Sequence, residues 1–283
     1  MSSSGKTNPI VFFGTGPVAA RSLELLAEHC TIEAVVTKPR PAHHKYNAPV
    51  LVAAEALGLP IFTAANKTEL DTLIANHSFT SQLGVLIDFG IIVSKRVIEA
   101  FPLGIINSHF SLLPRWRGAD PITFAITSGD TKTGVSLMMI DEGMDTGKLL
   151  TYRTLHIAPG ETGPSLTARL ISLSNELLTE FIPRYVAGEL RPKNQPHPTR
   201  ATYSRKITKQ DGVIDWSQPA EQIERNIRAY IEWPGSRTTL SGIEVIITGA
   251  HVVPQQGKPG QHSINGKELS IFAGTNALAI TSL

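Results

Sequence analysis

Four short apolar runs, Ile10 to Phe13, Ile32 to Thr37, Leu83 to Ile87 and Gly104 to Ile106, alternate with segments of helical character. This alternation constrains the fold more than any other feature of the chain. Such runs need cover on both faces, and helices returning between parallel strands supply it. The intervening stretches suit that task. Val18 to Glu28, Pro49 to Leu57 (Ala- and Leu-rich, with Gly58 to stop it) and Lys67 to Asn76 read as helices, with Ile61-Phe62 a short strand before the last. Ser94 to Ala100 lies between the third and fourth runs. Pro121 to Thr127 starts a helix, Val135 to Ile140 and Leu149 to Leu155 read as strands, and a helix over Ser165 to Val186 is bent or ended by Pro183. The expected fold class is α/β, built on a parallel sheet.

The pattern breaks between Gly188 and Thr202, where Pro192, Pro196 and Pro198 stand among Asn, Gln, His and Thr. That composition reads as a linker, and while 283 residues suit one large domain or two, the break favours two. The expected division is residues 1–188, a linker over 189–206 and a second domain over 207–283. Past the linker, a helix near Pro219 to Tyr230 precedes short β-like runs: Arg237 to Leu240, Glu244 to Val253, Leu269 to Phe272 and Ala277 to Thr281. Gly242, Gly249, Gly260 and Gly266 punctuate them, a spacing that suggests a small barrel.

Bulk properties exclude some classes. No run approaches the roughly 18 uninterrupted apolar residues of a membrane span. Met1 to Asn8 is Ser-rich and polar, so no signal peptide is expected. Cys30 is the single cysteine, which rules out an internal disulfide and a multi-cysteine metal site and fits a reducing, cytoplasmic compartment. A formal charge of +2 says little about partners, so the distribution of charge matters more.

Chemistry enters at Asn107-Ser108-His109, directly after the fourth apolar run. On a strand, the i, i+2 spacing puts Asn107 and His109 on one face. Asn supplies amide donors, His titrates near neutrality, and a separate carboxylate such as Asp145 can orient the His. That is equipment for acyl transfer through a tetrahedral intermediate. Taken alone, such a pair more often simply ends a strand. Two segments further along the chain change the balance: Ser111-Leu112-Leu113-Pro114-Arg115-Trp116-Arg117-Gly118, and then Asp141-Glu142-Gly143-Met144-Asp145-Thr146-Gly147.

This block resembles the folate-dependent formyltransferases, which carry Asn-x-His-x-Ser-Leu-Leu-Pro and a later Asp, and within them it is most similar to the methionyl-tRNA formyltransferases. Ala201 to Ile207, Ile214-Asp215-Trp216 and Ile227 to Tyr230 with Trp233-Pro234 extend the likeness. The resemblance implies a Rossmann-like parallel-sheet formyltransferase domain followed by a small OB-like β-barrel domain. It also implies formyl transfer from 10-formyltetrahydrofolate as co-substrate to methionyl-tRNA, with no metal or redox cofactor. A monomer is expected. Asn107 and His109 would stabilise the oxyanion, and Asp145 would orient His109 and favour its cationic form. Ser111, Leu112, Leu113, Pro114, Phe89 (in Asp88-Phe89-Gly90) and Asp141 would line the folate site, with core packing the competing explanation for the two leucines. Phe110, where relatives commonly have a small residue, either narrows the pocket or packs outward.

Two rival functions stay open. Gly14-Thr15-Gly16-Pro17-Val18-Ala19 after a strand matches a dinucleotide-binding turn, although Val36-Thr37-Lys38 offers no acid for an adenosine ribose. A nucleotide-sugar amine N-formyltransferase would share the same chemistry on another acceptor. The distribution of cations bears on that choice. Arg184 to Lys209 holds Arg184, Arg191, Lys193, Arg200, Arg205, Lys206 and Lys209 against one acid, Glu189, a composition suited to phosphates but also to a solvated face. From this segment Arg205, Lys206 and Lys209 are expected to contact tRNA. Lys38, Arg40 and Lys45 join them from the loop where the family carries a basic insertion, here poorer in cations, with His43 and His44 in their place.

Overall fold

The computed structural model describes residues 7–40 and 48–283. The chain forms two compact units. One takes in the described residues up to Arg117 together with Gly134–Thr154 and Arg169–Thr202; the other takes in Gly118–Thr133, Leu155–Ala168 and Tyr203–Leu283.

The elements follow the expected alternation: β1 (Thr7–Gly14), α1 (Pro17–His29), β2 (Cys30–Thr37), α2 (Pro49–Ala56), β3 (Ile61–Thr63), α3 (Lys67–Asn76) and β4 (Leu83–Ile87). Next come α4 (Lys95–Glu99), β5 (Ile105–His109), the two-residue β6 (Arg117–Gly118), α5 (Pro121–Thr127), β7 (Lys132–Met139), β8 (Leu149–His156) and α6 (Gly163–Val186). A seven-stranded sheet runs in the order β3-β2-β1-β4-β5-β7-β8. The pairs from β3 to β5 are parallel, and β5 pairs antiparallel with β7. The sheet is therefore mostly rather than wholly parallel, a mixture common where a further strand is added at one side of a doubly wound sheet.

The apolar runs are explained by burial on both faces. Ile10, Val11, Phe12 and Phe13 of the central β1 are all 0 % exposed. On one face, Phe13 meets Phe89 and Phe101 edge-on, at centroid distances of 5.5 and 5.8 Å. Pro183 does not end α6: the helix continues to Val186, and the Ala187 N–H reaches Pro183 O at 2.9 Å. Among the described residues no helix is long and apolar enough to cross a membrane.

The second unit carries β9 (Tyr203–Ser204), α7 (Ala220–Ala229), β10 (Ser236–Leu240), β11 (Ile243–Ile247), β12 (Gly249–Val253), β13 (His262–Asn265), β14 (Glu268–Phe272) and β15 (Ala277–Ser282). Its ladders are antiparallel: β10-β11, and β12-β15-β14-β13. The strands expected to make a small barrel thus form two ladders among the described residues. The apolar face of α7 (Ala220, Ile223, Ile227) packs with Ile247, Ile271, Ala273 and Leu278. From the segment before β7, Thr127 O accepts from Gln222 Nε2 at 2.9 Å and Arg225 Nε at 3.3 Å, which ties α5 to α7.

Candidate active site

The strand β5 runs through Asn107-Ser108-His109 rather than stopping before it, so the two-residue period holds where the chemistry needs it. Asn107 and His109 are 7 % and 6 % exposed. Ser108 points the other way, its hydroxyl 2.6 Å from that of Ser174 on α6, which fixes the strand from behind. Opposite His109 in the antiparallel register stands Ser136. Its hydroxyl donates to Ser111 O at 2.7 Å and accepts the Leu113 N–H at 3.1 Å, so it secures the turn after β5.

Asp145 approaches this face from the loop between β7 and β8. Its Oδ1 accepts from Asn107 Nδ2 at 3.5 Å, and its Oδ2 lies 3.7 Å from His109 Nδ1. Both distances are loose, as is common in sites that tighten around substrate. The other imidazole nitrogen is better held: Nε2 is 2.9 Å from Trp116 O. A carbonyl only accepts, so Nε2 carries the hydrogen of the neutral ring and the lone pair sits on Nδ1, beside the carboxylate. Trp116 presents that carbonyl from a left-handed backbone, φ +56°, uncommon for a bulky side chain.

The loop bearing Asp145 is itself constrained. The Asp141 carboxylate accepts from the Gly143 N–H at 3.0 Å and the Thr146 hydroxyl at 2.7 Å. At Gly147 a Cβ would come within 1.7 Å of Met139 O, so only glycine lets the chain pass. The amide of Gln195 closes on the same loop, donating to Asp145 O at 2.7 Å and Gly147 O at 2.9 Å.

The structure brings Asn107, His109 and Asp145 together and sorts the remaining expected residues. Ser111, Leu113 and Phe89 are at most 5 % exposed. Phe89 belongs to the core around Phe13, Leu113 packs on Met138 and Leu149, and Ser111 donates to Arg115 O at 2.5 Å. Any ligand there meets these segments through their backbone or through Leu112 and Pro114, which keep some surface. Asp141 is exposed and shapes its own loop. Phe110, at 7 % exposure, is buried. Lys38 is half-buried, while Arg40, Lys206 and Lys209 are exposed; Lys45, with His43 and His44, lies outside the described residues. Arg205 is committed to Asp211 through two hydrogen bonds, one of 2.8 Å. Residue type gave no hint of Gln195, of the Trp116 carbonyl or of Ser136. Among the described residues no cluster of three His, Cys, Asp or Glu side chains could hold a metal ion.

An Asn, a His and an Asp thus meet at the end of a buried strand in a Rossmann-like sheet. The formyl transferase family matches residues 9–182, and its C-terminal domain matches residues 206–283; the chain belongs to this family. It is 37 % identical over 279 residues to the methionyl-tRNA formyltransferase of Myxococcus xanthus (strain DK1622), covering 97 % of this chain and 89 % of that protein. Its fold is like that of the N-formyltransferase from Helicobacter canadensis in complex with folinic acid and dTDP-3-aminofucose, with a TM-score of 0.73, 18 % identity, and 98 % and 100 % of the two chains covered. It is also like HypX from Aquifex aeolicus in complex with tetrahydrofolic acid, with a TM-score of 0.67, 18 % identity, and 98 % of this chain and 44 % of that one covered.

Proposed function

We propose that this protein is a cytoplasmic, monomeric enzyme that moves the formyl group of 10-formyltetrahydrofolate onto the α-amine of methionyl-tRNA. The observation that carries this reading is the junction of Asn107, His109 and Asp145 in a chain matching a methionyl-tRNA formyltransferase over 97 % of its length. The folate compounds named with two proteins of the same fold support the donor. We assign catalysis to residues 1–188 and tRNA contact to the linker 189–206 and the domain 207–283, with Lys38, Arg40 and Lys45 assisting.

The amine nitrogen bonds to the formyl carbon, and the carbonyl electron pair moves onto oxygen. Asn107 donates to that oxyanion through Nδ2, a contribution of about 3–4 kcal/mol for a well-placed donor. The attacking nitrogen must lose a proton, and the basic nitrogen of neutral His109 is Nδ1, so the proton comes to rest between the ring and Asp145. The cationic ring, held between Asp145 and the Trp116 carbonyl, then returns that proton. Collapse breaks the bond from the formyl carbon to the folate nitrogen, which leaves as an amine carrying that proton. Ser111 to Pro114, Asp141 and the turn at Phe89 frame the donor.

The test offers methionyl-tRNA and amino-sugar nucleotides in parallel with one donor. Formyl-methionyl-tRNA is the expected product. Formylation of the sugar amine alone would reassign the acceptor.

A further inference from the structure

Gln195 sits in a proline-rich stretch whose composition suggests a solvated connection, yet it is only 7 % exposed. Its Nε2 donates to Asp145 O at 2.7 Å and to Gly147 O at 2.9 Å, which uses both amide hydrogens. Its Oε1 accepts from Arg117 Nη2 at 2.7 Å. We propose that Gln195 is a positioning residue for catalysis: it clamps the loop that carries Asp145 and sets the separation of that carboxylate from His109.

The loop needs such a clamp. Asp145 has φ +51°, a conformation that side-chain-bearing residues seldom adopt, and the chain between Met139 and Leu149 has no regular structure. The Asp141 carboxylate orders the loop from within, whereas Gln195 holds it from 50 residues away in sequence. The far side of the clamp is tied to the histidine. Arg117, 6 % exposed, comes directly after Trp116, whose carbonyl accepts from His109 Nε2 at 2.9 Å. The backbone N–H groups of both residues bond Thr202, Trp116 to the hydroxyl and Arg117 to the carbonyl, each at 2.9 Å. His109 and Asp145 are thus held by one connected frame that closes through Gln195.

The frame asks for two hydrogens toward two carbonyls and one oxygen toward a guanidinium. A primary amide supplies all three from one planar group. Glutamate lacks the donors, and lysine or arginine lacks the acceptor.

The role of Asp145 in this proposal rests on the formyl-transfer reading, so two readouts are combined, both on the full chain. Gln195→Glu keeps the size of the side chain and an oxygen for Arg117 but turns an acceptor toward the two carbonyls; Gln195→Ala removes the clamp. Each should lower kcat for methionyl-tRNA by about 10- to 100-fold, the scale of an ångström-size misplacement, while KM for the folate donor stays within about twofold. In an Asp145→Asn background the same substitutions should cost less than about twofold, because they act through that carboxylate. Independently, amide hydrogen exchange across residues 141–148 should quicken in both variants while that of β1 stays unchanged. An undiminished kcat loss in the Asp145→Asn background, or unaltered exchange across 141–148, overturns the proposal. A wild-type protein that formylates nothing would sink the functional reading alone, since the exchange measurement still decides the clamp. Should the alanine variant fail to fold, the glutamate variant decides.

Discussion

His109 has an acceptor facing each ring nitrogen before any substrate arrives: Trp116 O at 2.9 Å, and Asp145 Oδ2 at the looser 3.7 Å. In the proposed mechanism, removing the ring leaves Asn107 to donate to the oxyanion but takes away the proton carrier. His109→Ala should therefore lower kcat by about 10²-fold or more while donor binding, measured by fluorescence titration with 5-formyltetrahydrofolate, is retained; near-normal turnover would defeat the assignment. The meeting of Asn107, His109 and Asp145 was legible because their side-chain types suit acyl transfer and the strand period puts Asn107 and His109 on one face. Trp116 and Gln195 were not, for two different reasons. Trp116 acts through a carbonyl, which every residue has, so its identity signals nothing. Gln195 stands among prolines, without periodicity, and its purpose appears only once β7, β8 and Arg117 are folded around it.

At the level of elements, the expected helices and strands recur wherever an apolar period decides them: Lys67–Asn76 and Leu83–Ile87 match the sequence reading to the residue, and α5 begins at Pro121 as expected but ends at Thr127. They diverge where pairing or one residue decides. Gly249 opens a new strand within what reads as one run, and β13 (His262–Asn265) has little apolar content, its extended form coming from its pairing with β14. The short 3-10 turn Lys209–Gly212 is held by a side-chain lock that no periodicity reveals: Asp211 takes two hydrogen bonds from Arg205 and caps the turn through the Thr208 N–H and hydroxyl. The Arg205 guanidinium, with Thr208 second to it, holds the Asp211 carboxyl well below the usual carboxylate range despite partial burial. A carboxyl with a depressed folded pKa stabilises above its unfolded value, about 3.9, and loses that contribution as pH falls toward the folded one. Arg205 is 62 % exposed, so screening keeps the ion pair at or below about 1 kcal/mol. Thermal melts between about pH 4 and pH 2 should therefore fall more steeply for the wild type than for Asp211→Asn. Parallel curves would remove the lock from the account.

Over the whole molecule a net charge of +2 conceals an uneven distribution, since seven cations face one acid between Arg184 and Lys209. Folding divides those cations by availability. Arg184 lies 3.8 Å from Glu180 and 3.4 Å from Glu189, and Arg205 is held by Asp211. Lys206 and Lys209 are exposed and have no ion pair among the described residues, so their charge is available to a polyanion. Each lysine that neutralises a phosphate releases condensed counterions, which makes the affinity fall with salt by roughly one unit of log–log slope per contact. KM for methionyl-tRNA should thus rise with salt, and Lys206→Ala with Lys209→Ala should flatten that dependence by about one to two units while raising KM. The kcat at saturating tRNA should hold, because neither side chain belongs to the proposed catalytic cluster. Arg205→Ala should behave differently: its charge is already met by Asp211, so it should lower Tm and leave the salt slope nearly intact. A salt-independent KM in the wild type would deny tRNA phosphates as the partner of this segment and return the acceptor question to small amines.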